Sequence, residues 1–200
     1  MLYKLVRNFK NLMFKNLFLT MVISKFYKVV NTLLLNNNID IYRENKCWIH
    51  KTSLGLIPNS KPIFNPEEHV KKNFEIFFEH YLPKKNDIIV ELGAGQGCET
   101  LYISKLIGAN GQIISLEPFD EIFEILQKTI KLNNLVNVRA IKKAIFNSST
   151  KVGFSSNIDT WLGGKISHNS KNLVITTCLD DLVRDENLSK INFCKINIEG

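Results

Sequence analysis

Asp87-Ile-Ile-Val-Glu-Leu-Gly-Ala-Gly-Gln-Gly97, a helical stretch from about Glu99 to Ile107, and then Gln112-Ile-Ile-Ser-Leu-Glu117 decide how this chain folds. The apolar run Ile88-Ile89-Val90 reads as a strand buried on both faces, the kind found in the middle of a parallel sheet. It ends in Glu91, and the chain turns through Gly93, Gly95 and Gly97 before the helix begins. A helix N-terminus offers unpaired amides and a partial positive charge, so an anionic ligand group can dock there. Glycine at alternate positions lets backbone approach a ligand where a β-carbon would collide. The second strand delivers Glu117, 20 residues past Gly97, at the distance where an acid reaches a pair of ribose hydroxyls across the strand ends.

The glycine spacing selects among cofactors. A dinucleotide fingerprint is Gly-x-Gly-x-x-Gly, which seats a pyrophosphate on the helix end. Here the third glycine arrives one residue early, at Gly97, and Cys98 stands where that pattern needs glycine. An NAD-dependent oxidoreductase is therefore the alternative reading. Acid, Gly-x-Gly-x-Gly, helix, strand and second acid together resemble the first motif of class I S-adenosylmethionine-dependent methyltransferases. The resemblance implies a cofactor with a carboxylate, an ammonium and a ribose but no phosphate.

Two hundred residues suffice for a domain with a real core. The net charge of +7 suggests nucleic acid until the charges are located. Residues 1–39 hold Lys4, Arg7, Lys10, Lys15, Lys25 and Lys28 and no acid, which leaves 20 of the 26 bases against all 19 acids. The remainder is close to neutral, so a phosphate-tracking surface is not expected and nucleic acid is set aside as a partner. An Asn-Pro-Pro-aromatic strand end, the mark of base methyltransferases, is also missing. Cys47, Cys98, Cys178 and Cys194 form no Cys-x-x-Cys pair, and reduced thiols in the cytoplasm are expected. The four histidines show no metal-ligand spacing.

Three segments are expected. Residues 1–39 form a basic amphipathic helical extension, with Leu2, Leu5, Val6, Phe9, Leu12, Met13, Leu17, Met21 and Phe26 at helical intervals. It either packs on the domain or a second subunit, or lies through residues 1–35 in an anionic membrane surface. Residues 40–64 are a connecting segment with a short hairpin. Residues 65–200 are the cofactor domain, opened by a helix whose signature is Asn65-Pro66-Glu67-Glu68 and stopped by Pro83. Within it Asp120–Asn133 reads as an amphipathic helix and 137–141 as a strand. Residues 147–171 read as polar and loop-like, 173–177 as a strand, 179–183 as a short helix and 191–198 as a buried strand. Alternating strands and helices mean an α/β, Rossmann-like, mostly parallel sheet flanked by helices.

The C-terminal part narrows the family. Thr177-Cys178-Leu179-Asp180-Asp181-Leu182 and Lys195-Ile196-Asn197-Ile198-Glu199-Gly200 resemble the paired motifs of FkbM-type methyltransferases. That family has Asp where this chain has Asn197. The resemblance implies methyl transfer to a hydroxyl oxygen of a sugar, a glycan or another small molecule. It also implies a sheet with further strands, so the chain reads as a fragment truncated after the fourth core strand. On this basis Gly93, Gly95 and Gly97 line the methionyl part of the cofactor. Glu91 orients the glycine turn or the ammonium, Glu117 grips the ribose, and the Ala144 backbone meets the adenine. Asn197 and Glu199 face the transferred methyl, with Glu199 the candidate for activating the acceptor. A non-catalytic cofactor-binding module is the second alternative. Asp180 and Asp181 read as a pair favoured by a helix N-terminus.

Overall fold

The computed structural model describes residues 17–34, 39–45, 47–157, 160–166, 170 and 172–198. They belong to two compact units, residues 1–71 and 72–200.

In the first unit, helix α1 (Leu17–Leu34) is followed by an antiparallel sheet of β1 (Asp40–Glu44), β2 (Cys47–Thr52) and β3 (Gly55–Asn59). The expected hairpin therefore has a third strand. Its core is Ile39, Ile41, Trp48, Ile49 and Ile57. Tyr27 of α1 stacks on Phe64 with ring centroids 4.0 Å apart, and Asn31 Oδ1 accepts the Asn65 amide at 3.1 Å. His50 is buried between two backbone groups: its Nδ1 is 3.0 Å from the Ile57 carbonyl, and its Nε2 accepts the Ile63 amide at 3.0 Å. That second bond requires a neutral ring, and burial lowers the His50 pKa. Residues 1–16 and 35–38 of the expected basic helical extension lie outside the described residues.

Helix α2 (Pro66–Phe77) starts at the proline and ends well before Pro83. In the second unit, β4 (Ile88–Leu92), α3 (Cys98–Ile107), β5 (Gln112–Leu116), α4 (Asp120–Leu132) and β6 (Val138–Ile141) follow the expected order. They are followed by β7 (Ala144–Ile145), β8 (Lys151–Asn157), β9 (Thr160–Ile166), β10 (Leu173–Thr177), α5 (Leu179–Asp185) and β11 (Phe193–Ile196). The core sheet has the order β11-β4-β5-β6, and every pair is parallel. A purely parallel sheet needs both faces covered. On one face the in-register row Phe193, Ile89, Ile113 and Val138 packs with Phe74, Phe78, Ile103 and Ile107. On the other, Val90, Leu92, Ile114 and Leu116 pack with Leu182 and Leu188. Complete burial of one such isoleucine or leucine is worth about 1.5–3 kcal/mol.

Two expectations are corrected. Residues 147–171 are not a loop: β8 and β9 form an antiparallel ribbon, with Phe154 paired to Ile166. The Ser-, Asn-, Lys- and Gly-rich sequence does not announce the backbone ladder that pairs these strands. Residues 173–177 are a strand, but they join a second sheet of order β7-β10-β8-β9 instead of the core. Among the described residues no helix is long and apolar enough to cross a membrane.

Candidate cofactor site

The three glycines sit in three different environments. Gly93 has φ +80°, and a β-carbon there would lie 2.1 Å from the Asn197 carbonyl oxygen, so this glycine is where β11 closes on the turn. Gly97, the residue before α3, faces Leu126 and Thr129 of α4. Gly95 has φ +57° and nothing within 4 Å of its missing β-carbon. Only Gly95 of the three therefore opens onto space that a ligand can fill. The turn's amides are largely spent internally. Those of Gly93 and Ala94 both donate to the Leu116 carbonyl, at 3.0 and 2.9 Å, and Gly97 donates to Ala94 at 3.1 Å. An anion docked on the helix end would have to compete for them.

Glu117, almost fully buried at 5% exposure, braces the turn from the next strand end. Its Oε2 accepts the Gly95 amide at 3.0 Å and its Oε1 the Phe119 amide at 3.1 Å. Burial raises its pKa, against the two amides and the more distant Lys195, which lower it. Each carboxylate oxygen retains a lone pair after these bonds, so acceptor capacity remains for two hydroxyls.

Glu91 lies beneath the turn, not on its open side. Strand register places Lys195, Glu91 and Ser115 side by side across β11, β4 and β5. Glu91 Oε1 accepts from Lys195 Nζ at 3.2 Å, while Oε2 accepts from Ser115 at 2.9 Å and from Thr100 at 2.6 Å. Both members of the ion pair are inaccessible, with side-chain exposures of 1% for Lys195 and 0% for Glu91. The Lys195 ammonium also lies 4.8 Å from the centre of the Phe77 ring. Burial alone would lower the Lys195 pKa, but Glu91 and Glu99 outweigh it and hold the lysine charged. Glu99, in the first turn of α3, accepts from Asn73 at 2.7 Å. Burial pushes the Cys98 thiol well up, so this cysteine is not an activated thiolate.

Asn197 donates its amide to the Leu92 carbonyl at 2.9 Å, and its side chain is exposed beside the Gly93 turn. Ala144 is half-buried and pairs with Thr176 of β10. Glu199 lies outside the described residues. Cys178 caps α5, its sulfur accepting the Asp181 amide at 3.5 Å. Asp181 is held at about 2 by the Ser149 hydroxyl first, then Cys178 and Arg184. Lys195, Thr100 and Ser115 were not assigned roles from sequence. Only the register, with Lys195 opposite Glu91 opposite Ser115, reveals them. No group of three metal-ligating side chains occurs among the described residues.

Residues 72–146 match the family model of protein-L-isoaspartate(D-aspartate) O-methyltransferase. A relative from Methanococcus aeolicus, a protein-L-isoaspartate O-methyltransferase, is 33% identical over 58 residues, which are 29% of this chain and 27% of that protein. Over residues 72–146 the chain is thus similar to a methyltransferase family, and it spans under a third of the length of the relative it matches. The matched stretch contains Glu91, the glycine turn, Glu117 and Ala144, and it stops before the Thr177–Gly200 motifs.

Similar solved structures include Aeropyrum pernix fibrillarin with bound S-adenosyl-L-methionine, at 17% identity, 54% of this chain, 58% of that chain and TM-score 0.33. An O-methyltransferase from Thermotoga maritima gives 14% identity, 50% and 43% coverage and TM-score 0.35. A structure described as an rRNA methylase from Clostridium thermocellum gives 24% identity, 42% and 45% coverage and TM-score 0.32. The relative named for a macromolecular substrate, protein isoaspartate, overturns the expectation of a small-molecule or glycan partner to the exclusion of macromolecules, nucleic acid included. Near-neutral charge in the domain argues against a surface that tracks phosphates; it says nothing about an acceptor group recognised at the site itself.

Proposed function

We propose that this chain transfers a methyl group from S-adenosylmethionine to an oxygen nucleophile. The observation that carries the reading is Gly95: a glycine with positive φ, open space before it, and its amide held by a buried acid at the adjoining strand end. When bound, the cofactor supplies a methyl carbon on a sulfonium, already activated for displacement. Gly95 lets it approach the backbone, Glu117 accepts its ribose hydroxyls, and the half-buried Ala144 meets the adenine. Glu91 acts from below by fixing the turn. Asn197 borders the reacting end. Glu199, two residues on, is the proposed group that takes or orients the acceptor proton. The enzyme's contribution is mainly to hold the acceptor oxygen in line and to keep water out.

Two acceptor chemistries fit. The motifs at Thr177–Leu182 and Lys195–Gly200 resemble the FkbM type and favour a hydroxyl. The match over residues 72–146 favours a carboxylate, as the matched family's name states. The products differ: a methyl ester on carboxylate is lost in mild base, whereas a methyl ether survives. Labelled S-adenosylmethionine incubated with the protein and cell extract, followed by base and ribonuclease treatment, separates ester, ether and RNA-borne label.

The cofactor assignment is tested with Gly95→Ala. The left-handed backbone costs an alanine roughly 1–2 kcal/mol, and its β-carbon meets no protein atom. The variant should stay folded yet lose at least about tenfold in S-adenosylmethionine affinity by calorimetry. Unchanged affinity, or stabilisation of the wild type by NAD alone, would overturn the reading.

A further inference from the structure

A fully buried lysine is the least expected group in the second unit. Its position, opposite Glu91 in register and directly under the glycine turn, admits a specific explanation. We propose that Lys195 is a positioning residue: by neutralising Glu91 beneath the turn, it holds Gly93 to Gly97 in the shape that receives the cofactor. The proposal rests on the reading above and adds a residue that acts through another.

Four observations meet at this point. Glu91 is the last residue but one of β4, immediately before the turn, so its side chain sets where the turn begins. Its two oxygens are shared among three elements: Lys195 of β11, Ser115 of β5 and Thr100 of α3. Two residues beyond Lys195, the Asn197 carbonyl packs against Gly93 so closely that no side chain fits between them. Lys195 thus anchors β11 by its charge below the turn, while Asn197 closes on the turn above. The surrounding charged groups are all acidic: Glu99 on α3 and Glu117 at the end of β5, with the Cys98 thiol neutral beside them. Without Lys195 the floor of the site would hold Glu91, Glu99 and Glu117 with no cation among them. Removing one partner of a buried pair leaves an uncompensated charge, which is far more costly than replacing both. A simple packing role predicts a different result, because methionine matches the lysine stem and should nearly restore it.

The experiment uses the full chain as wild type, Lys195→Met, Glu91→Gln and the double variant. Amide exchange of Gly93 and Gly95 without cofactor reads the turn directly, and calorimetry with S-adenosylmethionine reads its consequence. In Lys195→Met at neutral pH these amides should exchange about tenfold faster and affinity should fall about tenfold. The double variant, which removes the carboxylate charge together with its partner, should recover most of both losses at neutral pH. Equal defects in Lys195→Met and the double variant would overturn the proposal in favour of packing. Wild-type behaviour of Lys195→Met would overturn it as well. If that variant does not fold, the double variant decides: near-wild-type exchange supports the proposal, and a tenfold defect sinks it. A wild type whose turn is ordered by exchange but which binds no S-adenosylmethionine would overturn the functional reading and leave the exchange comparison to judge Lys195.

Discussion

On the proposed reading, Glu117 is one carboxylate that serves both the protein and a ligand. Its oxygens already accept the amides of Gly95 and Phe119, so truncation removes a brace from the turn as well as a ligand group. Glu117→Ala should weaken S-adenosylmethionine binding about 10- to 100-fold, the value of a charged hydrogen bond and its neighbour. Amide exchange at Gly95 should quicken in the same variant. The charged form is also the one that accepts hydroxyls, and burial raises the pH at which it appears. Wild-type affinity should therefore be level near neutral pH and fall on acidification through that raised pKa. Glu117→Gln should lack this acid limb, and a calorimetric pH series distinguishes the two. Gly93 behaves differently from Gly95. In Gly93→Ala the β-carbon meets backbone, the Asn197 carbonyl, which cannot swing away as a side chain can. That variant should be destabilised by several times the roughly 1–2 kcal/mol of left-handed strain, with a fall in melting temperature far larger than for Gly95→Ala.

Among the elements, the three-stranded sheet of the first unit is tied by His50. Its ring must stay neutral, since Nε2 accepts the Ile63 amide. The folded pKa lies below the unfolded one, so the unfolded chain binds the proton more readily. This contribution is complete above the unfolded value of about 6.5 and is lost as pH falls toward the folded value. Amides 47–63 should accordingly lose protection as pH falls below about 6.5, and a His50→Gln variant should show a flatter profile. The sequence made the core elements legible for the same reason that they are stable. Ile88-Ile89-Val90 can only be a buried strand, and the acid and glycines that follow it can only be a turn. Asn65-Pro66-Glu67-Glu68 likewise announces α2. By contrast, the polar, Gly-containing sequence of β8 and β9 does not announce the ladder that pairs them. The three glycines also looked equivalent in sequence, yet one meets a strand, one meets a helix and one meets open space. Glu91 read as orienting either the glycine turn or a ligand ammonium, and nothing local revealed that Lys195, 104 residues away, would pair with it.

At the scale of the second unit, the sheet order puts β4 and β5 inside and β11 and β6 outside. Ile89, Val90, Ile113 and Ile114 are wholly buried. Their amides should be the slowest of the unit to exchange, opening only when it unfolds entirely, while β6 and β11 exchange earlier. Uniform exchange across the four strands would contradict the order. The same order has a consequence in time. Ile88 bonds to Asn192 and Glu91 to Lys195, each across 104 residues of chain. Contacts of such long range form slowly because the intervening loop must close first. At a synthesis rate of about 5–20 residues per second, the lysine follows its glutamate by roughly 5–20 seconds. Throughout that interval the nascent β4 carries an acid with no cation to meet it, and the turn lacks the carbonyl that closes over Gly93. On the proposed reading, the cofactor turn is complete only once β11 has docked beside β4.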